Sequence, residues 1–227
     1  MIDTILFDLD DTLLDFTANE EVSLIDTLYR FGVVPTGEIV RKYIEINRAC
    51  WQRLERGEWT RDEVLVGRFR ELYDELGVDA DPAATHAYYE KRLSQEGSYI
   101  PGAEELLIEL KKSYRLYAVS NGTEIVQDGR IASTRIDKHL DGIFISGRVG
   151  ADKPSPIFFD RVFAEIGGDR RNAVIVGDSL TSDILGGINA GIRTIWYNPQ
   201  GKENNMGIIP DYEIGSLSDL PSLIKKI

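Results

Sequence analysis

Two aspartates, Asp8 and Asp10, directly follow an apolar run near the N-terminus of the 227-residue chain. Residues two apart on an extended segment face the same way, so these carboxylates can converge on one point. Two carboxylates that close repel each other, and a hard divalent cation with oxygen ligands relieves the repulsion. We therefore expect Mg²⁺ here, although acidic residues after a strand also serve merely to solvate a loop or cap a helix.

Three further polar segments follow later apolar runs. Ser120 and Asn121 precede a glycine and can offer donors to an anionic oxygen, although this triplet is also a common turn. Lys153 stands just before a proline, which fixes its position better than that of a surface lysine. Asp178 ends another run and Asp183 lies on the following turn, an arrangement that suits one direct metal ligand and one acid that orients it. Helix capping is the alternative role for Asp183.

Runs of almost entirely apolar residues alternate with helical patterns along the chain. This composition is typical of strands buried on both faces, and the alternation favours an α/β fold with a Rossmann-like, doubly wound parallel sheet. In such sheets the functional crevice lies at the carboxyl ends of the strands, where the four polar segments stand. The predicted strands are 4–7, 116–119, 142–145, 173–176, 193–197 and 212–214, and the predicted helices of this part are 104–112, 156–166, 182–190 and 218–226.

The segment between the first two strands has a different pattern, which indicates several helices. Thr60 followed by Glu63 predicts a capping box, and Gly32 and Gly77 predict helix ends. We therefore predict an α/β core formed by residues 1–14 and 96–227, with an inserted all-helical cap domain formed by residues 15–95.

The chain is acidic, with 26 Lys and Arg against 38 Asp and Glu and a formal net charge of -12. This balance repels nucleic acid and anionic membrane surfaces at long range, so neither is an expected partner. Cys50 is the single cysteine, which excludes an intrachain disulfide. The N-terminus lacks the pattern of a secretory signal, so we expect a cytoplasmic protein. A separate expectation is that the protein is a monomer or a weak homodimer.

Taken together, the segments DLDDT, SNG, KPSP and GDSLTSD resemble the four motifs of the haloacid dehalogenase superfamily. The resemblance spans nearly the whole chain, including the helical insertion after the first motif. It implies that Asp8 is the nucleophile and Asp10 the general acid/base, and that Asp8, Asp178 and the backbone carbonyl of Asp10 bind Mg²⁺. It also implies that Ser120, Asn121 and Lys153 bind phosphate, and that Asp183 supports the metal ligands.

The expected reaction is Mg²⁺-dependent hydrolysis of a phosphate monoester through an aspartyl-phosphate. Dehalogenases of the superfamily lack the second aspartate, so Asp10 argues against that activity. Phosphomutases share both aspartates, and Thr12 disfavours them only mildly. Phosphonate-cleaving relatives place a lysine in the cap for a Schiff base; Lys42 and Lys91 are the only candidates in the cap, and both have the pattern of solvated surface residues. A phosphoryl-accepting receiver module is the alternative from another class, although receivers are shorter and have no cap.

The insertion also carries the segments INRACW and ERGEWTRDEV, and WYNP follows the last long strand. With these segments the chain resembles the noncanonical pyrimidine nucleotidases, which implies a 5′-nucleotidase acting on pyrimidine nucleoside monophosphates. Sugar-phosphate phosphatase and phosphomutase remain the alternatives. Asn47 and Trp51 lie one helical turn apart and can hydrogen-bond to and stack on a base, and Phe16 can line the same opening. The alternative role for both aromatic side chains is packing within the cap or at its interface with the core. For Asn47 the alternative is solvation on the helix surface.

Overall fold

The computed structural model describes residues 1–227 and divides into two compact units. The α/β unit comprises Met1–Phe16 and Gly97–Ile227, and the helical unit comprises Thr17–Glu96. The domain boundaries predicted after residues 14 and 95 differ from these by two residues and one residue.

Short strands and helices alternate through most of the chain. The strands are β1 (Thr4–Phe7), β2 (Arg115–Ser120), β3 (Gly142–Ile145), β4 (Ala173–Gly177), β5 (Arg193–Tyr197) and β6 (Tyr212–Ile214). The α-helices are α1 (Phe16–Arg30), α2 (Gly37–Glu55), α3 (Arg61–Leu76), α4 (Pro82–Leu93), α5 (Ala103–Leu110), α6 (Glu124–Thr134), α7 (Ser146–Val149), α8 (Pro156–Ile166), α9 (Leu185–Ala190) and α10 (Leu220–Ile224).

The six strands form one parallel sheet in the order β3-β2-β1-β4-β5-β6. Strand β1 lies between β2 and β4, with Phe7 opposite both Ala118 and Val176. Every residue of β1 and β4 is buried, which explains why their sequences are apolar without alternation, apart from Thr4 at the start of β1. The predicted doubly wound parallel sheet is confirmed, and it includes the sixth strand at its edge.

Helices cover both faces of the sheet. Phe7 faces a cluster that includes Leu107 of α5, whereas the preceding residue, Leu6, faces the opposite cluster with Phe158 and Phe159 of α8. Neighbouring residues of a strand point to opposite faces, so each central strand contributes to both cores. The sheet is therefore a rigid platform whose strand ends hold fixed positions.

The helices of the α/β unit differ from the predicted ones at two places that matter for the site. The apolar pattern does not predict α6, because its buried residues include Gln127 and Arg130 and it therefore lacks an apolar repeat. The helix predicted over 182–190 is instead a wide π-helical turn, Leu180–Ile184, followed by α9. Turns of this kind occur frequently at functional sites.

The helical unit contains α2, α3, α4 and all of α1 except its first residue. Thr60 and Glu63 form the predicted capping box at the start of α3, and Gly77 ends that helix at a φ of 64°, in the left-handed region that favours glycine. The buried rings of Tyr43, Phe69 and Tyr89 pack with centroids 5.3–5.9 Å apart. The unit thus has an aromatic core of its own.

None of the helices combines the length and the apolar character needed to cross a membrane.

Candidate active site

The predicted polar segments lie at the carboxyl ends of three neighbouring strands. Asp8 directly follows β1, Ser120 ends β2, and Asp178 directly follows β4. Because β1 pairs in parallel with both β2 and β4, these side chains stand at the same edge of the sheet. This edge is where ligands bind in doubly wound sheets.

Lys153 lies at this edge of the sheet, and only 1% of its side chain is exposed. It donates to Asp8 Oδ1 at 2.6 Å, to Asp183 Oδ1 at 2.7 Å and to the backbone oxygen of Val119 at 2.8 Å. Its three donors are therefore all in use. Asn121 fixes the loop, because its amide pairs with the backbone nitrogen and oxygen of Lys153 at 2.9 and 2.8 Å.

Charge in this cluster shifts the pKa of both partners. Burial lowers the pKa of Lys153, but the negative charges of Asp183 and Asp8 outweigh burial and hold that pKa above its ordinary value. Burial raises the pKa of the Asp8 carboxyl well above its ordinary value; the charge of Lys153 opposes this rise, and the surrounding carboxylates add to it. Additional positive charge beside Asp8 would favour the ionised form of its carboxylate.

Asp183 is fully buried and is held from two sides. Its Oδ1 accepts from Lys153, and its Oδ2 accepts from the backbone N–H of Ser179 at 3.1 Å. Gly177 leaves the necessary space, since a Cβ there would lie 2.3 Å from Asp183 Oδ2. The Ser179 hydroxyl, not the Asp183 carboxylate, caps the following turn by accepting from the N–H of Ser182.

Three carboxylates of the site are close enough to share a metal ion. The oxygens of Asp8, Asp178 and Asp183 lie within 4.8 Å of one another. Carboxylate oxygens suit Mg²⁺. Since both oxygens of Asp183 already accept hydrogen bonds, Asp8 and Asp178 would be the better direct ligands of a metal ion, and Asp183 would orient the surrounding groups. The side chains present therefore fit a divalent cation.

The stability gained from Mg²⁺ should depend on pH. Burial, with the charges of Asp183 and Asp11, raises the pKa of Asp178 to about 7. The pKa of an unfolded aspartate is about 3.9. Between about pH 4 and about pH 7 the metal-free folded protein therefore binds more protons than the unfolded chain, and its stability falls as pH rises. Metal binding needs the ionised carboxylate. We expect the increase in Tm caused by Mg²⁺ to grow from about pH 5 to about pH 8.

Thermal unfolding in Mg²⁺ and in EDTA across this pH range measures the effect. The Asp178→Asn variant is the control, because it removes one of the two candidate carboxylate ligands and should lose most of the Mg²⁺-dependent change in Tm. An equal change in Tm at every pH in the wild-type protein would contradict the assignment of Asp178 to the metal.

Two side chains of α6 that the sequence analysis did not single out contact Asp10. Gln127 Nε2 donates to Asp10 Oδ2 at 2.7 Å and to Ser120 Oγ at 2.9 Å. Arg130 donates through its Nη1 to Asp10 Oδ1. Gly122 makes room, since a Cβ there would lie 2.2 Å from Gln127 Nε2. The sequence signal that could have found this pair is its i, i+3 spacing, which places both side chains on one helical face.

The structure thus gathers most of the predicted site residues at one edge of the sheet. Asp8, Lys153, Asp178 and Asp183 form one cluster, and Asp10 and Ser120 are joined through Gln127. Asn121 directs its amide to the Lys153 backbone instead. Its structural role is therefore to fix Lys153, and its predicted contact with phosphate stays a prediction.

Asn47 belongs to a buried polar network in the helical unit. Its Oδ1 accepts from Arg68 at 3.0 Å, and its Nδ2 donates to Glu20 Oε1 at 2.9 Å. The Tyr89 hydroxyl donates to the same Glu20 oxygen at 3.0 Å. Asn47 is only 9% exposed. Its side chain therefore joins α1, α2 and α3, and its predicted contact with substrate stays a prediction.

The two aromatic side chains predicted to contact substrate lie in different units. Phe16 belongs to the α/β unit, where the guanidinium of Arg130 lies 5.3 Å from its ring centroid. Trp51 belongs to α2 of the helical unit, is half-buried, and has the guanidinium of Arg61 5.7 Å from its ring. Their predicted roles also stay predictions.

Comparison with known proteins gives a consistent result. The family model described as haloacid dehalogenase-like hydrolase matches residues 2–191. The pyrimidine 5′-nucleotidase PynA of Streptococcus pneumoniae is 38% identical over 224 residues, which cover 98% of this chain and 94% of PynA. The pyrimidine 5′-nucleotidase YjjG of Escherichia coli is 32% identical over 225 residues, which cover 99% and 98% of the two chains.

A solved structure agrees with these sequence relatives. The Bacillus subtilis protein YfnB, whose crystal structure contains magnesium, superposes with a TM-score of 0.93 at 37% identity. The match covers 98% of each chain. Both units of the present chain therefore have counterparts in that structure.

Proposed function

This chain belongs to the haloacid dehalogenase-like hydrolase family, and from that premise we propose that it hydrolyses pyrimidine nucleoside 5′-monophosphates through an aspartyl-phosphate on Asp8. The observation that carries the proposal is the buried contact of the Asp8 carboxylate with Lys153, beside the carboxylates of Asp178 and Asp183. A single strand-end carboxylate, held by a buried cation and flanked by metal-binding oxygens, suits attack on an anionic phosphate.

In the first step an oxygen of Asp8 attacks phosphorus while the bond from phosphorus to the 5′ oxygen breaks. Asp10 gives its proton to the leaving oxygen, which departs as the nucleoside hydroxyl. Lys153 stabilises negative charge on the phosphoryl oxygens, and the hydroxyl of Ser120 donates to one of them. The product is a phosphoryl group bonded to Asp8.

In the second step water attacks the same phosphorus and the Asp8–phosphorus bond breaks. Asp10 takes the proton from that water, so it returns to the state in which it began the cycle. Inorganic phosphate leaves and the Asp8 carboxylate is regenerated. Splitting hydrolysis between two displacements lets one carboxylate pair serve as nucleophile and as proton carrier.

Asp8, Asp178 and the backbone carbonyl of Asp10 are the groups that would hold Mg²⁺. When bound there, the ion supplies positive charge that offsets the charge of the phosphate and keeps the Asp8 carboxylate ionised. Asp183 supports this arrangement by holding Lys153 in place.

The proposed substrate class is supported by the two nucleotidase relatives, PynA and YjjG. Asn47, Trp51 and Phe16 remain the proposed contacts with the nucleoside. The Asn47 amide already binds Arg68 and Glu20, so of the two proposed contacts on α2 Trp51 is the better test of base recognition. We keep the cytoplasmic location and the monomeric or weakly dimeric state as proposals.

We expect multiple-turnover release of phosphate in Mg²⁺ to favour pyrimidine over purine nucleoside 5′-monophosphates. The measurement is kcat/KM for both nucleotide classes, for a set of sugar phosphates and for p-nitrophenyl phosphate, each with Mg²⁺ and with EDTA. Loss of turnover in EDTA is the expected companion result.

Other outcomes would replace the substrate class or the mechanism. Higher kcat/KM on sugar phosphates would keep the Asp8 mechanism and make the protein a sugar-phosphate phosphatase. Transfer of the phosphoryl group to a second sugar oxygen, without net phosphate release, would favour a phosphomutase. A single phosphorylation without turnover would favour a receiver module.

A further inference from the structure

Both oxygens of the Asp10 carboxylate are held by side chains of α6. Gln127 donates to Oδ2 at 2.7 Å and Arg130 donates to Oδ1. Gln127 and Arg130 lie three residues apart on the helix and therefore point from one face. A carboxylate bound at both oxygens by two donors of one rigid element has little rotational freedom.

This arrangement carries a cost in stability. Arg130 has no exposed side-chain surface, and its Nε and Nη2 atoms have no hydrogen-bond partner. The Oε1 atom of Gln127 is also buried without a partner. A buried guanidinium with one ionic contact is expensive, and such groups in folded proteins call for a specific explanation. Burying a polar pair here contributes less to stability than an apolar helical face would.

The surroundings hold the Arg130 side chain in one place. The Phe16 ring covers the guanidinium from a centroid distance of 5.3 Å. The same Gln127 nitrogen that binds Asp10 also donates to Ser120, and the backbone N–H of Gly122 donates to that hydroxyl as well. The contacts therefore join the proposed proton carrier to the proposed phosphate-binding hydroxyl through one helix.

We infer that Gln127 and Arg130 are positioning residues that hold the Asp10 carboxylate in the orientation from which it gives its proton to the leaving oxygen. The inference rests on the proposed function, in which Asp10 is the general acid. Both residues contact the Asp10 carboxylate, and in the proposed mechanism neither contacts phosphorus or the leaving oxygen. They contribute by keeping the Asp10 carboxylate in a geometry suited to proton transfer.

Two leaving groups separate this role from a purely structural one. The 5′ oxygen of a nucleoside leaves as a strongly basic alkoxide unless it is protonated, whereas p-nitrophenolate is weakly basic and leaves with little help. A misplaced acid therefore slows the first reaction much more than the second. General damage to the fold or to phosphate binding slows both. The ratio of kcat/KM for the two substrates reports the first displacement and not the hydrolysis of the intermediate, because kcat/KM covers only the steps up to transfer of the phosphoryl group.

We expect the Arg130→Met variant to lose about 10²-fold in kcat/KM on a pyrimidine nucleoside monophosphate and less than about tenfold on p-nitrophenyl phosphate. Arg130→Lys should restore part of the loss, because it returns one charged donor. Arg148→Met is the matched control: Arg148 binds Glu124 and Asp128 at the start of α6 and makes no contact with Asp10, so both substrates should react as in the wild-type protein.

The Gln127→Leu variant decides the question if Arg130→Met does not fold, and it should show the same preference for the nitrophenyl ester. Asp10→Asn is measured beside them. Equal losses on both substrates in Gln127→Leu and in folded Arg130→Met would overturn the inference, provided that Asp10→Asn discriminates between the substrates. If Asp10→Asn itself fails to discriminate, the acid role in the proposed function is what fails.

Discussion

An Asp8→Asn variant is expected to lose at least ~10⁴-fold in kcat on every phosphate ester that the wild-type protein hydrolyses. The asparagine amide has nearly the same shape, but it is too weak a nucleophile to attack phosphorus. The fold should survive, because Lys153 keeps its contacts with Asp183 and with the Val119 carbonyl. Removing one of several crowded carboxylates also relieves repulsion, so we expect a Tm no lower than that of the wild-type protein.

Phosphate release under saturating substrate measures the loss, with circular dichroism and thermal unfolding as tests of the fold. Asp11→Asn is a matched control on the same segment. Asp11 has a φ of 58°, which asparagine also tolerates. The Phe16 N–H donates to Asp11 Oδ1 at 2.9 Å, and an asparagine side-chain oxygen can accept the same hydrogen bond. This control should retain most of its activity. A folded Asp8→Asn variant with more than about one hundredth of the wild-type kcat would contradict the nucleophile assignment.

The Lys153→Met variant should combine a large loss of stability with a large loss of activity. Lys153 is the buried cation between Asp8 and Asp183, and removing it leaves two buried carboxylates without their shared partner. We expect the free energy of unfolding to fall by about 3–5 kcal/mol. Activity should fall by about 10²–10³-fold, because charge on the phosphoryl oxygens is no longer offset. Urea unfolding and kcat/KM measure the two effects.

A second substitution tests the cause of this destabilisation. Because the remaining buried charge is responsible, Asp183→Asn placed in the Lys153→Met background should recover part of the lost stability. Lys42→Met is the control, since Lys42 forms an exposed ion pair with Glu75 and its loss should change stability little. If Lys153→Met were as stable as Lys42→Met, Lys153 would not stabilise the fold by pairing with Asp8 and Asp183.

Local patterns in the sequence were sufficient for much of the fold. The apolar runs of β1 and β4 predict buried parallel strands, because a strand with both faces covered has no solvent-facing side and so needs no alternating polar residues. The end of each strand then places Asp8, Ser120 and Asp178 at one edge without any knowledge of distant contacts. The Thr60–Glu63 capping box is equally local, and the helix it starts is present.

The parts that the sequence did not predict depend on contacts between distant residues. The hydrogen bond of Lys153 to Asp8 joins positions far apart in the chain, and no local pattern specifies it. Helix α6 escaped prediction because its inward face carries Gln127 and Arg130, which interrupt an apolar repeat. Asn47 has a polar side chain on a helix, and only the tertiary structure reveals its buried partners, Arg68 and Glu20.

The most direct test of the account is to find the covalent intermediate on Asp8. The enzyme is quenched in acid during turnover of a nucleoside monophosphate in Mg²⁺, the acyl phosphate is reduced with borohydride, and the peptides are analysed by mass spectrometry. Borohydride converts a phosphorylated aspartate to homoserine, so we expect homoserine at position 8 that depends on substrate and is absent from Asp8→Asn. Sustained turnover with an unmodified Asp8, or with homoserine at another aspartate, would contradict it.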